Sequence, residues 1–358
     1  MSPWRRLASG GWCLVLLTLA GCGRPATPPP ASSAVDLDGR AVQVTGPYVH
    51  KNLAVFLIHS DRQDPRTFLT LDEGLTGGAV AITEKDQEQV RELLIDNQSD
   101  RPLYLQEGER IQGGKQDRTI AASLVVAAHS GRQPLPTFCI EQSRWTEGKG
   151  GRRFAFSSSA ALAPKGVRGA AKFEKEQGKV WNAVQVQKVS AQAALMTANT
   201  NTSANEMLDA PQAQAVAREY AGALAEALDK HPDAVGVAIA VNGQFEEADV
   251  YPNHALLRKL YPRLVQSYAL QAALLKDQAP EATRLSAPDA AAHLRNGPAR
   301  SRREERLDPQ NVLDIQELDQ NRFVCSTRYE GQLVNWQVMK KTGVGAAAGR
   351  RQTLGSDW

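Results

Sequence analysis

The run VGVAIAVNGQFEEADV, residues 235–250, sets the kind of sheet this chain builds. Val235 to Val241 is apolar throughout, Asn242-Gly243 is the pair most favoured in a two-residue hairpin turn, and Phe245 to Val250 returns. Neighbouring strands are therefore antiparallel and joined locally. After Pro252, Asn253 is a suitable N-cap. Leu256, Leu257, Leu260, Leu264, Tyr268 and Leu275 then form one helical stripe, which Pro262 should bend. A hairpin followed at once by an amphipathic helix predicts an α+β fold.

Working outward, residues 47–140 read as a β-rich half, an antiparallel sheet or sandwich. Its expected strands are Leu53 to Ile58, Ala79 to Thr83, Val90 to Asp96, Leu103 to Gln106 and Thr119 to Ala128, broken by Asp96-Asn97-Gln98-Ser99-Asp100 and Gly113-Gly114. The period changes near Lys172. Val180, Val184, Ala191 and Leu195, then Val216, Tyr220, Leu224 and Leu228, predict two helices with the polar loop NTNTSAN (199–205) between them. Near the C-terminus, Phe323, Cys325, Thr327 and Tyr329 share a face, Glu330-Gly331 turns, and Val334, Trp336 and Val338 alternate on the return. Ala287 to Arg306 reads as a linker-like insertion whose basic run (Arg300, Arg302, Arg303, Arg306) is a solvated loop. One α+β domain is expected over 47–341, with helices and hairpins in the same domain as the β-rich half. A Gly-rich disordered tail over 342–358 should follow.

The N-terminus carries an address. Arg5-Arg6 precede an apolar run, Trp12 to Ala20, shorter than the ~20 residues of a spanning helix. The run closes on Leu19-Ala20-Gly21-Cys22, which resembles the lipobox of bacterial lipoprotein precursors. Residues 1–21 are then a signal peptide and Cys22 the lipidation site, carrying a thioether-linked diacylglyceryl and an N-linked acyl chain of the palmitate kind. More than one chain anchors stably, at about 0.8 kcal/mol per buried CH2. Gly23 supplies no acidic retention signal, so the preferred location in the cell envelope is the outer membrane, facing the periplasm. RPATPPPASS (24–33) is an extended spacer within a tether expected over 22–46.

Loss of residues 1–21 removes two arginines and no acids, taking the formal charge from +3 to +1. Neither nucleic acid nor another polyanion is implied as a partner. Hydrophobic content of 42% suits a domain with a real core. Cys13 leaves with the signal and Cys22 takes lipid; Cys139 and Cys325 remain, either paired or separately buried.

Three ordered segments carry a resemblance: FLTLDEGL (68–75), EGERIQGGKQDR (107–118) and CIEQSRW (139–145), with Val241-Asn242-Gly243 and RLVQSYA (263–269) downstream. Together they resemble the ARPP domain, the ARG and rhodanese-phosphatase superfamily associated protein, over about Leu53 to Lys340. The resemblance implies a fold and a surface to inspect; it implies no reaction. The lipoprotein leader and the 287–306 stretch depart from it as local additions.

The chemistry is read from residues. Glu107, Glu109, Lys115, Asp117 and Arg118 flank Gly113-Gly114, whose missing side chains let backbone N–H groups approach an anion. The spacing is not a P-loop, since Gly114 intrudes before Lys115 and Gln116 stands where Ser or Thr would bind magnesium. A plain β-hairpin with charged flanks is the competing reading. In the second segment Glu141, Gln142 and Arg144 could clamp an anion and Trp145 could wall it, while Cys139 has no nearby His and suits core. His50, His59, His129, His231, His254 and His293 show no HxH or HxxxH spacing, so neither a metal site nor another cofactor is expected. Ser157-Ser158-Ser159 has no nucleophile-elbow context. Two function classes follow. One is a noncatalytic envelope protein binding another envelope protein or a small anionic ligand through GGKQDR and EQSRW. The other is a hydrolase for a phosphate- or ADP-ribose-like ligand with Glu107 or Glu109 as base.

Overall fold

The computed structural model describes residues 33–85, 92–142, 156–195, 204–276, 285–295, 297–319 and 322–340. Period-2 alternation builds a nine-stranded, wholly antiparallel sheet. Numbering strands along the chain, its order is β1 (Ala34–Leu37), β2 (Arg40–His50), β3 (Leu53–His59), β13 (Ala234–Val241), β14 (Gln244–Val250), β18 (Gln332–Lys340), β17 (Arg322–Tyr329), β16 (Asn311–Asp319) and β15 (Ser301–Arg306). The two ends of the chain share this sheet because β3 pairs with β13, Leu57 opposite Val237 and Val55 opposite Ile239.

Alternation sorts the sheet's two faces. Leu53, Val55, Leu57, Val237, Ile239 and Val241 pack against α5 (Pro211–Leu224) and α6 (His254–Leu274). Phe56, Ile58, Ala238, Ala240 and Trp336 face the other way, against α7 (Ala287–Leu294). The remaining helices are α1 (Leu71–Thr76), α2 (Lys165–Gly169), α3 (Gln177–Leu195) and α4 (Ala204–Leu208), with a π turn at Ala170–Glu174 after α2. A three-stranded sheet joins β4 (Leu69–Thr70), β7 (Leu103–Leu105) and β10 (Leu124–Val126). A six-stranded antiparallel sheet runs β12 (Ser157–Ser158), β8 (Arg110–Gln112), β9 (Arg118–Ile120), β11 (Arg132–Cys139), β6 (Glu92–Asn97) and β5 (Val80–Glu84). The fold is α+β, with a β-rich N-terminal half followed by helices and hairpins.

The 235–250 hairpin forms, its turn residues Asn242 and Gly243 at φ 52° and 71°. Asn253 caps α6 by accepting the Leu256 N–H at 2.9 Å, and Pro262 lies inside that helix. Val180, Val184, Ala191 and Leu195 are all buried on α3.

Three expectations are corrected. The sheet begins at Ala34, before the expected domain start at 47: Val35, Leu37, Val42 and Val44 enter the core, so part of the expected tether is folded. The single strand expected over Thr119 to Ala128 is two strands, β9 and β10, in different sheets. Tertiary bonds break it: Ser123 Oγ accepts the Glu107 N–H at 3.0 Å, and the Asn311 amide bonds both backbone groups of Val125. The insertion at 287–306 is no linker, because α7 starts with a Ser286–Asp289 capping box and buries Ala290, Ala291 and Leu294. Its basic run forms edge strand β15, with Arg302 bonded to Asp314 at 2.6 Å. Residues 1–32, most of the 199–205 loop, and 341–358 lie outside the described residues. Cys139 and Cys325 are buried thiols not joined to each other, and burial pushes Cys139 up to about 11.

Candidate functional site

The GGKQDR turn joins β8 to β9, with Ile111 opposite Arg118. Gly113 and Gly114 take φ 121° and 58°, and a Cβ on Gly114 would lie 2.6 Å from Glu84 Oε1. That contact explains the glycine. Glu84, at the end of β5, accepts the Lys115 N–H at 3.2 Å and the Arg118 guanidinium at 2.9 Å. An internal carboxylate thus holds the donors that sequence alone would offer to a bound anion. The second segment comes alongside: Gln116 donates to the Glu141 carbonyl at 3.1 Å, and the Asp117 N–H donates to the Glu141 carboxylate at 3.2 Å. Lys115 is half-buried and Gln142 exposed, whereas Arg144 and Trp145 lie outside the described residues.

The two candidate bases are fully buried. Glu109 accepts Arg263 Nη1 at 2.5 Å and the Gln106 N–H at 3.0 Å. Burial lifts its carboxyl above the usual range, with Arg263 opposing. Glu107 is ion-paired with Lys172, and Arg168 Nη1 lies 3.9 Å from its other oxygen.

These contacts belong to a network that the sequence reading missed. Lys165, Arg168 and Lys172 stand at helical spacing along α2 and the π turn, so their side chains share a face. That face meets the acids of β14. A bulge in the β13–β14 register leaves Glu246 without a partner, which turns the consecutive Glu246 and Glu247 toward the same helix. Lys165 pairs with Glu246, and Arg168 with Glu247 at 2.5 Å. Lys172 also donates to Gln337 at 2.6 Å, which donates to Asp249 at 3.1 Å. Arg168 reaches Glu107 because position 108 is glycine; a Cβ there would meet Arg168 Cδ at 2.2 Å. Burial and the neighbouring Glu247 hold Asp249 above the usual carboxylate range, and burial depresses Lys172. Among the described residues, the Tyr251 and Tyr268 hydroxyls beside this cluster have no hydrogen-bond partner.

At the edge of the network, α2, α3 and α6 enclose a groove of about 440 Å³. Lys165, Arg168 and Glu246 line it together with Ser267, Leu270 and Leu274. Its walls are mostly apolar.

Residues 41–339 match the family model of the ARG and Rhodanese-Phosphatase-superfamily-associated Protein domain, ARPP-1. The chain belongs to the ARPP-1 family. The ARPP-1 match starts at the head of β2 and ends in β18, so it takes in the GGKQDR turn, Glu141 and every charged residue of the buried network. It also takes in α7 and β15, which are therefore part of this ARPP-1 domain. Compared with curated proteins and with solved structures, the chain finds no match. No described helix of the ARPP-1 domain is long and apolar enough to cross a membrane.

Proposed function

We propose that this chain is a noncatalytic ARPP-1 protein of the cell envelope, held to the membrane by lipid on Cys22, that binds a partner or a small anionic ligand. The observation that carries the reading is that Glu107 and Glu109 are both fully buried and held by cations of the fold. A general base needs a free lone pair within reach of the proton it takes. The binding surface we assign is the rim where the GGKQDR turn meets Glu141, with Lys115 and Gln142 on it; Arg144 and Trp145, which follow in sequence, are kept as candidates from the sequence alone. The address rests on Arg5-Arg6, the apolar run and the Leu19-Ala20-Gly21-Cys22 motif.

The hydrolase alternative draws on the 440 Å³ groove, whose lining includes Lys165, Arg168 and Glu246. One experiment separates the two. ADP-ribose and inorganic phosphate are each titrated calorimetrically into the protein, and ADP-ribose is then assayed for turnover. Saturable binding that Lys115→Ala and Arg144→Ala weaken without lowering thermal stability, and without product, supports the binding reading. Turnover abolished by Glu109→Gln would replace it with the hydrolase.

A further inference from the structure

Outside the charge network, β3 and the turn before β13 bring together groups that are distant in sequence. One ligand atom each from His59, His231 and Asp233 lies within 4.8 Å of the others. We propose that these three residues form a binding site for a divalent transition-metal ion of the Zn²⁺ type.

The backbone fixes the arrangement. Ala234 pairs with His59 across β13 and β3, Ala234 N donates to the His231 carbonyl at 3.0 Å, and Ser60 N donates to the Asp233 carbonyl at 3.1 Å. His231-Pro232-Asp233 is thus a closed turn laid against the end of β3, with proline fixing its central φ. Each ring has a partner that sets its orientation. Thr45 Oγ1 lies 2.7 Å from His59 Nε2, which leaves Nδ1 facing Asp233 Oδ1 at 3.1 Å. The Tyr48 hydroxyl lies 2.6 Å from His231 Nε2. Such outer hydrogen bonds orient and tune metal-ligating imidazoles, and a hydroxyl can donate or accept as the tautomer demands.

The donor set decides the class of ion. Two imidazoles and one carboxylate suit Zn²⁺ and its borderline neighbours, whereas calcium and magnesium prefer sites built of oxygen. Three protein ligands leave a fourth position for water, and the Asp233 side chain is 54% exposed, so both water and the ion can reach the site. Ligand atoms within 4.8 Å of one another must draw together to reach Zn–N and Zn–O distances of about 2.0–2.2 Å. Cys139 and Cys325 are buried and cannot compete.

The test uses the full chain, stripped with a chelator and titrated with Zn²⁺ against a chromophoric competitor. The expected result is a single equivalent bound by the parent, with affinity reduced by at least about tenfold in His231→Gln and in Asp233→Asn, and by about tenfold in Tyr48→Phe. Asp233→Asn changes an exposed side chain, so it should unfold like the parent and isolates the ligand effect. Absence of Zn²⁺ binding to the parent overturns the proposal. So does equal binding by the parent, His231→Gln and Asp233→Asn, which would place the ion elsewhere.

Discussion

Lys172 and Glu107 form an ion pair in which neither side chain reaches solvent. The lysine comes from the π turn after α2 and the glutamate from the turn between β7 and β8, so the pair joins the helical part to the smaller sheets. Taking both charges from water costs several kcal/mol per ion, and only mutual attraction and added hydrogen bonds offset it. Glu107 looked like a candidate base in sequence; in the fold it anchors an interior.

Asp249 gives this interior a pH signature. Its carboxyl is held above the usual range by burial and by Glu247, with Arg168 and Lys172 opposing, so the folded state keeps a proton that the unfolded chain has released. Stability from this group is complete below the unfolded value of ~3.9 and is lost as pH rises through the folded value. Asp249→Asn should therefore match or exceed the parent's urea midpoint at about pH 7, while losing that advantage at about pH 4. A parallel pH profile in the two proteins would show that Asp249 keeps its ordinary ionisation.

Gly114→Ala should destabilise by about 1–3 kcal/mol, from the left-handed backbone and the close approach of Glu84. Urea unfolding measures it. No loss would mean that Glu84 swings away at no cost and does not hold the turn.

Much of the fold was legible because it is local. The Asn242-Gly243 turn, the Asn253 cap, the four buried residues of α3 and the Phe323 to Val338 hairpin each follow from spacing within a dozen or so residues. α7 carried its signal too, in Ser286-x-x-Asp289, but an Ala- and Arg-rich composition hid a helix that buries only three side chains. The split between β9 and β10 was not legible, since it depends on Ser123 and Asn311 bonding distant backbone. The site divides the same way. The meeting of Gln116 and Asp117 with Glu141 follows from antiparallel return, and Lys165, Arg168 and Lys172 could have been found at helical spacing. Glu246 and Glu247 facing one helix could not, because a register bulge puts them there.

The address is open to a direct check. Cys22→Ala should abolish labelling by a fatty-acid analogue and leave an unprocessed precursor, because the thiol is the acceptor and its modification precedes cleavage. Equal labelling of variant and parent would remove the lipid anchor from the proposal.

The reading of Glu107 as a structural anchor and not a base is decided by a double-mutant cycle on Glu107 and Lys172. Glu107→Gln, Lys172→Met and the double variant are unfolded in urea at neutral pH. Each single substitution should cost about 3–5 kcal/mol, since each strands a charge in the interior, and the double variant should lose clearly less than their sum. A Glu107→Gln protein as stable as the parent, or more so, would contradict it, because a charge kept at the expense of stability is the mark of a functional group.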